Sequence, residues 1–495
     1  MKKFIIFALI TLLTLSVLTA CSGNHNNTAN SGNNDGTESV INLYPDSDTS
    51  TSNDNNVTQP QGRVVNVTSP AFILSDRFIN PIEQQTTVPD GFIGIYTAEE
   101  FDKIRLQRES KYILMANIDL TILDEWEAIS SFSGILDGNG YTIKDNRHSS
   151  SVRGHSLFYS VRMGEIKNLG VDSNYTVEFS RSGSIETAGM INKAESAIID
   201  NCYFSGSIEI IRPTGDNSSR LAVQAGGIVG VADSSIINNS YNDGNIVFND
   251  GLNVAVYLGG IVGSSTDSRI VNCFNKGNLS AKGERNYIGG IVGEIRKDGN
   301  IVTGCYNEGV LTVDNNAGGI RIRDTSFNMS AVGGIAVLAD FAEAEINNCY
   351  NAGNINVNEN YGVVIATLRP NAGGIIFGSG TVNNSYNFGN ITIETNGEHS
   401  LVYGIGGKTI INSYNFGELN GINNGGISGN FANIEFCYFL NNVENATPDG
   451  ALFTNVKKLT AEQMKDKSSF VGFDFDDVWE MGNPDYPFPI FKSNY

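Results

Sequence analysis

The chain has 495 residues, 53 acidic and 32 basic, giving a formal net charge of −21. That balance repels phosphate backbones and argues against nucleic acid as a partner; it also disfavours polyanionic substrates unless calcium or a basic groove intervenes. The length could hold several domains, but a solenoid grows by adding turns and needs only one.

Residues Met1 to Cys21 begin with Lys2 and Lys3, run apolar from Phe4 to Leu18, and end on Leu18-Thr19-Ala20-Cys21. The apolar run is too short and wrongly flanked for a retained membrane span, so residues 1–20 are expected to be a cleaved export signal. The last four residues match the bacterial lipobox. That resemblance to lipoprotein signals implies that Cys21 becomes the first residue and carries lipid on its sulfur and amino group. The protein would then be anchored in the bacterial cell membrane or outer membrane, facing outward. Buried acyl chains hold at about 0.8 kcal/mol per CH₂, so several on one residue give a stable anchor.

Residues 21–88 read as a disordered tether. From Ser22 to about Gln61 the chain is Asn, Ser, Thr, Asp and Gly, and nothing there could offset ordering entropy. About 40 such residues span roughly 35 Å. A capping module is expected over residues 89–130. In it Thr97-Ala98-Glu99-Glu100 fits a capping box opening a helix that reaches to about Gln107, and Tyr112-Ile113-Leu114-Met115 fits a strand. Its task would be to cover the exposed backbone edge at one end of the fold.

Residues 131–455 carry the repeat, which is clearest from Ile199 to Cys437. Gly226-Gly227-Ile228-Val229-Gly230 returns at Gly259 and Gly289, with looser copies from Gly333, Gly373 and Gly425. A closing phrase pairs each: a β-branched residue, two mostly polar residues, Cys or Ser, an aromatic residue and usually Asn-x-Gly. It is centred in turn on Cys202, Ser240, Cys273, Cys305, Cys349, Ser385, Ser413 and Cys437. The step from doubled glycine to Cys/Ser is 12, 14 or 16 residues, always even.

A period of about 30 residues marks a solenoid, since one unit cannot bury its own apolar face. The apolar runs are short, rich in Ile and Val, and punctuated by Gly and Asn, which suits strands. The expected fold is therefore all-β: a right-handed single-stranded parallel β-helix with small helical and strand caps at both ends. Each residue would sit about 4.8 Å above its counterpart one turn earlier. Asn239, Asn272, Asn348, Asn384 and Asn412 are expected to form a column of left-handed corners whose amides hydrogen-bond along the stack. Gly244, Gly277, Gly309, Gly353, Gly389 and Gly417 are expected to supply positive φ at a second corner. The Ile/Val and Cys/Ser positions lie three apart and would face opposite ways on a straight strand; a bend at the intervening Asn turns both inward. Residues 456–495 form a second cap: Thr460-Ala461-Glu462-Gln463 repeats the capping box, and the aromatic stretch from Phe473 to Pro489 suits a closing plug.

The Gly-Gly-Ile-Val-Gly phrase with its Asn-Cys-Tyr-Asn-x-Gly partner resembles the GLUG repeat of bacterial surface proteins, found also ahead of the protease domain in immunoglobulin A1-cleaving metalloproteases. Phe132 to Ile143 and Ile166 to Val171 are similar to the lead-in of such regions, so the resemblance runs from about Gly91 to Tyr495. It implies a fold and a surface location, and it assigns no activity. No His-Glu-x-x-His occurs, so the associated zinc protease is not expected.

With Cys21 lipidated, an odd number of cysteines remains: Cys202, Cys273, Cys305, Cys349 and Cys437. Side chains stacked about 4.8 Å apart have Cβ atoms too far apart for a relaxed disulfide. Buried free thiols acting as small apolar fillers are expected. No histidine or second cysteine sits at ligand spacing, so no metal and no other cofactor is expected.

Parallel β-helices also house polysaccharide lyases and glycoside hydrolases, which need converging carboxylates or a basic residue with acid-held calcium. The candidates are poor. Asp476 and Asp477 fall in the plug. Arg321-Ile322-Arg323-Asp324 is similar to one polygalacturonase element but lacks its Asn-Thr-Asp and Gly-His-Gly companions, and Arg212-Pro213 with Arg220 is a weaker echo of lyases. His25, His148, His155 and His399 are scattered, and a polar loop accounts for His148 and His155. The favoured reading is a non-catalytic surface protein that binds or displays to an extracellular glycan or host protein. Its contacts are expected at the interruptions Arg212–Gln224, Asp314–Ser330 and Asn358–Asn371. The alternatives are a surface polysaccharide-degrading enzyme and a passive spacer.

Overall fold

The structure is a computed structural model. It describes residues 79–492 except 125, 147, 150–154, 179–182, 212–220, 250–253, 284, 316–329, 340–341, 361–368, 430–431, 449–451 and 485. The signal, Cys21 and the tether up to residue 78 lie outside the described residues.

One turn shows how the chain coils. Ile236–Asn238 enters sheet I, Tyr241–Asn242 and Asn245–Asn249 form sheet II, Val254–Gly259 lies in sheet III and Val262–Thr266 in sheet IV. The next strand, Arg269–Val271, then lies parallel on the first with Ile270 beside Ile237. Thirteen strands stack this way in sheet I, eight in sheet III and seven in sheet IV. The fold is a parallel β-helix. Among the described residues, the pairing of Trp479–Met481 with Pro489–Phe491 is the one antiparallel ladder.

Like residues stack on like. Leu136, Ile166, Ile199, Ile237, Ile270, Val302, Ile346, Val382, Ile410 and Ile434 form one column of sheet I, each with no exposed surface. Burying each contributes about 1.5–3 kcal/mol. The chain then turns at an asparagine in the left-handed region: φ is +47° at Asn239, +52° at Asn272, +54° at Asn348, +45° at Asn384 and +49° at Asn412. Because of that turn Ile237 and Ser240 both point inward and are fully buried.

The cysteine column consists of five free, buried thiols. They are hydrogen-bonded as well as packed. Ser240 Oγ donates to Asn238 O at 2.6 Å and accepts from Cys202 N at 3.1 Å, and Cys273 Sγ donates to Val271 O at 3.3 Å. The position therefore needs a small side chain with one hydrogen to give, which is why Ser and Cys alternate there. Burial pushes the thiols of Cys202, Cys273 and Cys349 far up and that of Cys437 to about 12, so none of these four is a reactive thiolate.

Two expectations are corrected. The amide ladder does not run chiefly through the corner asparagines: Asn272 Nδ2 reaches Asn239 Oδ1 at only 3.4 Å, and the oxygens of Asn348 and Asn412 have no partner. It runs three residues later. Asn242, Asn275, Asn307, Asn351 and Asn387 each donate to the oxygen of the asparagine above at 2.7–2.8 Å, ending on Asn415. Each of these five also donates to its own Asn-x-Gly carbonyl at 2.8–2.9 Å. A buried amide that has both hydrogens used costs nothing in lost hydrogen bonds. The Asn-x-Gly glycines, in turn, are not in the left-handed region. A Cβ on Gly309 would lie 2.0 Å from Gly277 O, and one on Gly353 would lie 2.0 Å from Gly309 O. Close approach of successive turns, not positive φ, excludes a side chain.

The caps also differ from expectation. Thr97 caps the helix Ala98–Asp102, accepting from Glu100 N. The strands beside it, Ile93–Ile95 and Lys111–Leu114, are the first turns of sheet I and not a separate cover. At the other end Thr460 and Gln463 close a reciprocal capping box at 2.9 and 3.1 Å. The aromatic tail lies along the flank of the coil, with Trp479 6.0 and 6.1 Å from the Tyr386 and Tyr414 rings and Phe488 4.3 Å from Phe416. The tether boundary expected at residue 88 falls inside a placed segment: Asn80 and Gln85 are both hydrogen-bonded to the coil.

Gly309→Ala is expected to lower stability by at least about 3 kcal/mol, since the turn must open to admit a methyl. Cys305→Ser should stay within about 1 kcal/mol because serine already fills this site in other turns. Thermal unfolding midpoints of the two variants check the order.

A groove on the outer face of the coil

Sheets III and IV meet at the glycine phrase, and their outer faces form a concave corner. The last glycine of each phrase sits at its floor. A Cβ on Gly263 would lie 2.6 Å from Ala225 N, and one on Gly293 would lie 2.7 Å from the Leu258 carbonyl. Only glycine lets the two sheets close this tightly.

Side chains from both walls converge over that floor. Gln224 and Tyr257 occupy one register position of sheet III, followed by Tyr287 and then Ala331. Val231, Ser264 and Glu294 succeed one another in sheet IV above Lys193. Across the corner Lys193 Nζ lies 3.2 Å from Glu186 and 5.8 Å from the Tyr159 ring centre. Higher up, the Tyr257 and Tyr287 rings stack at 5.1 Å, and the Arg296 guanidinium lies 5.4 Å from the Tyr257 ring centre. Arg296 Nε donates to Glu294 at 2.6 Å. With its amide oxygen turned toward Arg296, Gln224 accepts from the same guanidinium. Farther along, Phe377 of sheet IV stacks on Tyr403 of sheet III at 6.1 Å.

Glu294 is 8% exposed, and burial raises its carboxyl against the pull of Arg296. Burial also pushes the Tyr257 hydroxyl up to about 12, so that hydroxyl stays a proton donor at neutral pH. Ser264 is 1% exposed and its Oγ has no hydrogen-bond partner. An unsatisfied hydroxyl at that depth costs about 1–3 kcal/mol unless something fills the valence. The corner thus offers hydroxyl, amide, carboxylate, guanidinium and aromatic groups in a row along the coil axis.

Sequence patterning passed over these residues. They occupy the position two before the doubled glycine (Gln224, Tyr257, Tyr287) and the one just after the phrase (Val231, Ser264, Glu294). Both positions vary in an otherwise constant phrase, and that variation was the available signal for columns that do not belong to the apolar core. The structure lays the expected site residues Cys202, Ser240, Cys273, Cys305, Cys349, Ser385, Ser413 and Cys437 in one buried column, away from this groove. Most of the interruptions expected to carry contacts (residues 212–220, 316–329 and 361–368) lie outside the described residues, as do Arg321 to Asp324, Arg212 and Arg220.

Among the described residues, other chemistry does not assemble into a site. Asp476 and Asp477 are exposed in a turn whose amides both donate to Asp474. His155, expected on a polar loop, is buried instead, its Nε2 3.0 Å from Asp145 and its ring 4.6 Å from Tyr175. A cleft of about 690 Å³ at the N-terminal end is lined by Arg105 and Arg108, but Arg105 is held by Asp102 at 2.5 Å and Arg108 by the Arg105 carbonyl. Among the described residues there is no group of three or more His, Cys, Asp or Glu side chains that could hold a metal ion. Glu359 points into the coil with 1% exposure, beside Ser330 and Asn315.

No protein-family model matches the chain, and no curated protein does. Three chains of known structure match. One, described as a "putative immunoglobulin A1 protease" from Bacteroides ovatus, is 18% identical over 81% of this chain and 91% of its own, with a TM-score of 0.35. A likeness that weak carries no functional argument.

Burial raises the Glu359 carboxyl from an ordinary 4.5 to about 7, against the pull of Ser330 and Asn315. Between those values the folded chain holds a proton that the unfolded chain has lost, so stability is greatest below about 4.5 and declines as pH rises through about 7. The loss is on the order of 3 kcal/mol. Unfolding midpoints at pH 5 and pH 8 should show it, and Glu359→Gln should abolish this part of the difference.

Proposed function

We infer that the protein is a non-catalytic, lipid-anchored surface protein whose outer groove between sheets III and IV binds an extracellular linear glycan. The carrying observation is the convergence of Gln224, Tyr257 and Glu294 on Arg296, with the unsatisfied Ser264 hydroxyl one turn from Glu294 in the same register position. Polar groups repeated at about 4.8 Å intervals along an aromatic-lined corner suit a ligand that itself repeats along one axis. Tyrosine edges and hydroxyls then supply contact at low entropic cost.

The acid pair in this groove argues for binding over hydrolysis. Glu186 stands level with Lys193, three turns below Glu294, which is about 14 Å at ~4.8 Å per turn. Retaining and inverting glycosidases need about 5.5 and 6.5–9.5 Å. Export and the anchor rest on Lys2, Lys3, the apolar run and Leu18-Thr19-Ala20-Cys21. Display on a tether would put the groove in reach of polymers outside the cell.

Purified protein on a panel of polysaccharides, including uronic-acid polymers with and without calcium, should bind at least one without releasing product. Tyr287→Ala and Arg296→Ala should each weaken that binding at least about tenfold while leaving the unfolding midpoint within a few degrees. Binding unchanged in both variants would remove the groove from the account, and product release would favour a lyase or hydrolase. Cys21→Ala should abolish incorporation of labelled palmitate and release the protein from the membrane fraction.

A further inference from the structure

Resting on the reading of the groove as a glycan site, its charges and its two ends narrow the class of glycan it takes. The cations on its walls stand against carboxylates. Lys193 Nζ lies 3.2 Å from Glu186 and Arg296 Nε 2.6 Å from Glu294, while at the outer edge Arg162 Nε lies 3.0 Å from Glu195. One step farther from the floor, Arg285 in sheet III and Asp233 in sheet IV add a charge of each sign. Over these turns the described wall residues named here carry as many carboxylates as cations, on a chain whose net charge is −21. The groove is thus no basic channel, and no long-range attraction draws an anion to it.

Hydrogen-bonding chemistry points the same way. A uronate or sulfate group only accepts, so on reaching Arg296 it would meet the Glu294 carboxylate that already holds this guanidinium and would face its own sign at low exposure to water. A sugar hydroxyl both gives and accepts. Neighbouring hydroxyls of one ring take a hydrogen from Arg296 or Tyr257 and give one to Glu294, leaving the ion pair whole. The Ser264 hydroxyl, one turn below Glu294 in the same register position and without a partner, is served by either role.

The ends of the groove set its length. Gly230, Gly263 and Gly293 lie side by side in the floor, since Val229 and Val231 pair with Val262 and Ser264, and these in turn with Val292 and Glu294. One turn below, the same place belongs to Asn192, so the floor there carries a side chain, and the Lys193–Glu186 pair stands at that level. One turn above, sheet IV drops a residue. Val292 pairs with Ala336 but Ile295 with Leu338, which leaves Val337 alone between them and no glycine in the floor. The deep stretch is three turns long, about 14 Å at ~4.8 Å per turn, which is close to the length of a trisaccharide.

We propose that the groove recognises an uncharged glycan through a trisaccharide-length stretch whose hydroxyls bridge Glu294 to Arg296 and Tyr257, and that Glu294 is the residue that rejects acidic polymers.

Binding of the full chain to a neutral glucan and a mannan, and to polygalacturonate and alginate with and without calcium, tests this at low and high ionic strength. A neutral polymer should bind with an affinity that salt changes less than about twofold, and the acidic polymers at least about tenfold more weakly. A trisaccharide of the bound polymer should compete within about threefold of the hexasaccharide. Glu294→Gln should strengthen binding of an acidic polymer at least about tenfold while the unfolding midpoint stays within a few degrees. Preference for an acidic polymer in the unaltered chain, or competition that keeps rising beyond the trisaccharide, would overturn the proposal and leave the glycan site standing. An unchanged preference in folded Glu294→Gln would overturn the role of that residue. Binding of none of the polymers would remove the site itself, and this proposal with it.

Discussion

Successive turns of this coil must lie about 4.8 Å apart along their whole length, and that spacing dictates which residues can repeat. A buried amide column such as Asn242 to Asn415 meets it because each side chain gives one hydrogen upward and one to its own turn. The glycines beside it meet it because a methyl would strike the turn below. Tyrosine and phenylalanine meet it by stacking face to face. Residue identity in the repeat follows from what can sit on a copy of itself.

Much of the architecture was legible in the sequence for that reason. The period gave the solenoid, and the β-branched position gave the core column. The even steps between glycine phrase and Cys/Ser fit strands that may grow by two residues without reversing which side chains face inward. The asparagine bend was legible because a three-residue spacing cannot face inward twice without it. What stayed hidden has physical causes too. Two asparagines three residues apart look alike in a repeat, and only the coordinates show that Asn242 carries the amide ladder while Asn239 makes the turn. Glycine serves positive φ and close approach equally, and nothing in its spacing separates the two. The aromatic tail looked like a plug because aromatic clusters seal ends; its true surface, the flank of a tyrosine ladder, exists only once the turns are stacked.

The groove was illegible for a different reason. Pattern reading rewards constancy, so it finds the columns that build the wall. The proposed groove belongs to the positions that vary, where Gln224, Tyr257 and Tyr287 follow one another without resembling one another. In a repeat of this kind the informative positions for binding are the variable ones next to the most constant phrase. The tight corner at Gly263 and Gly293 is architectural, yet it is also what brings Glu294 and Arg296 against the opposite wall. Architecture and the proposed site share one cause.

The claim on which all of this rests is like-over-like stacking, and an experimental electron-density map of the coil tests it most directly. The account requires Asn242, Asn275, Asn307, Asn351, Asn387 and Asn415 in one line with amide contacts near 2.7–2.8 Å, beside a single file of five reduced cysteines. Density that scatters those asparagines, or that joins the cysteines in bridges or around an ion, would contradict it.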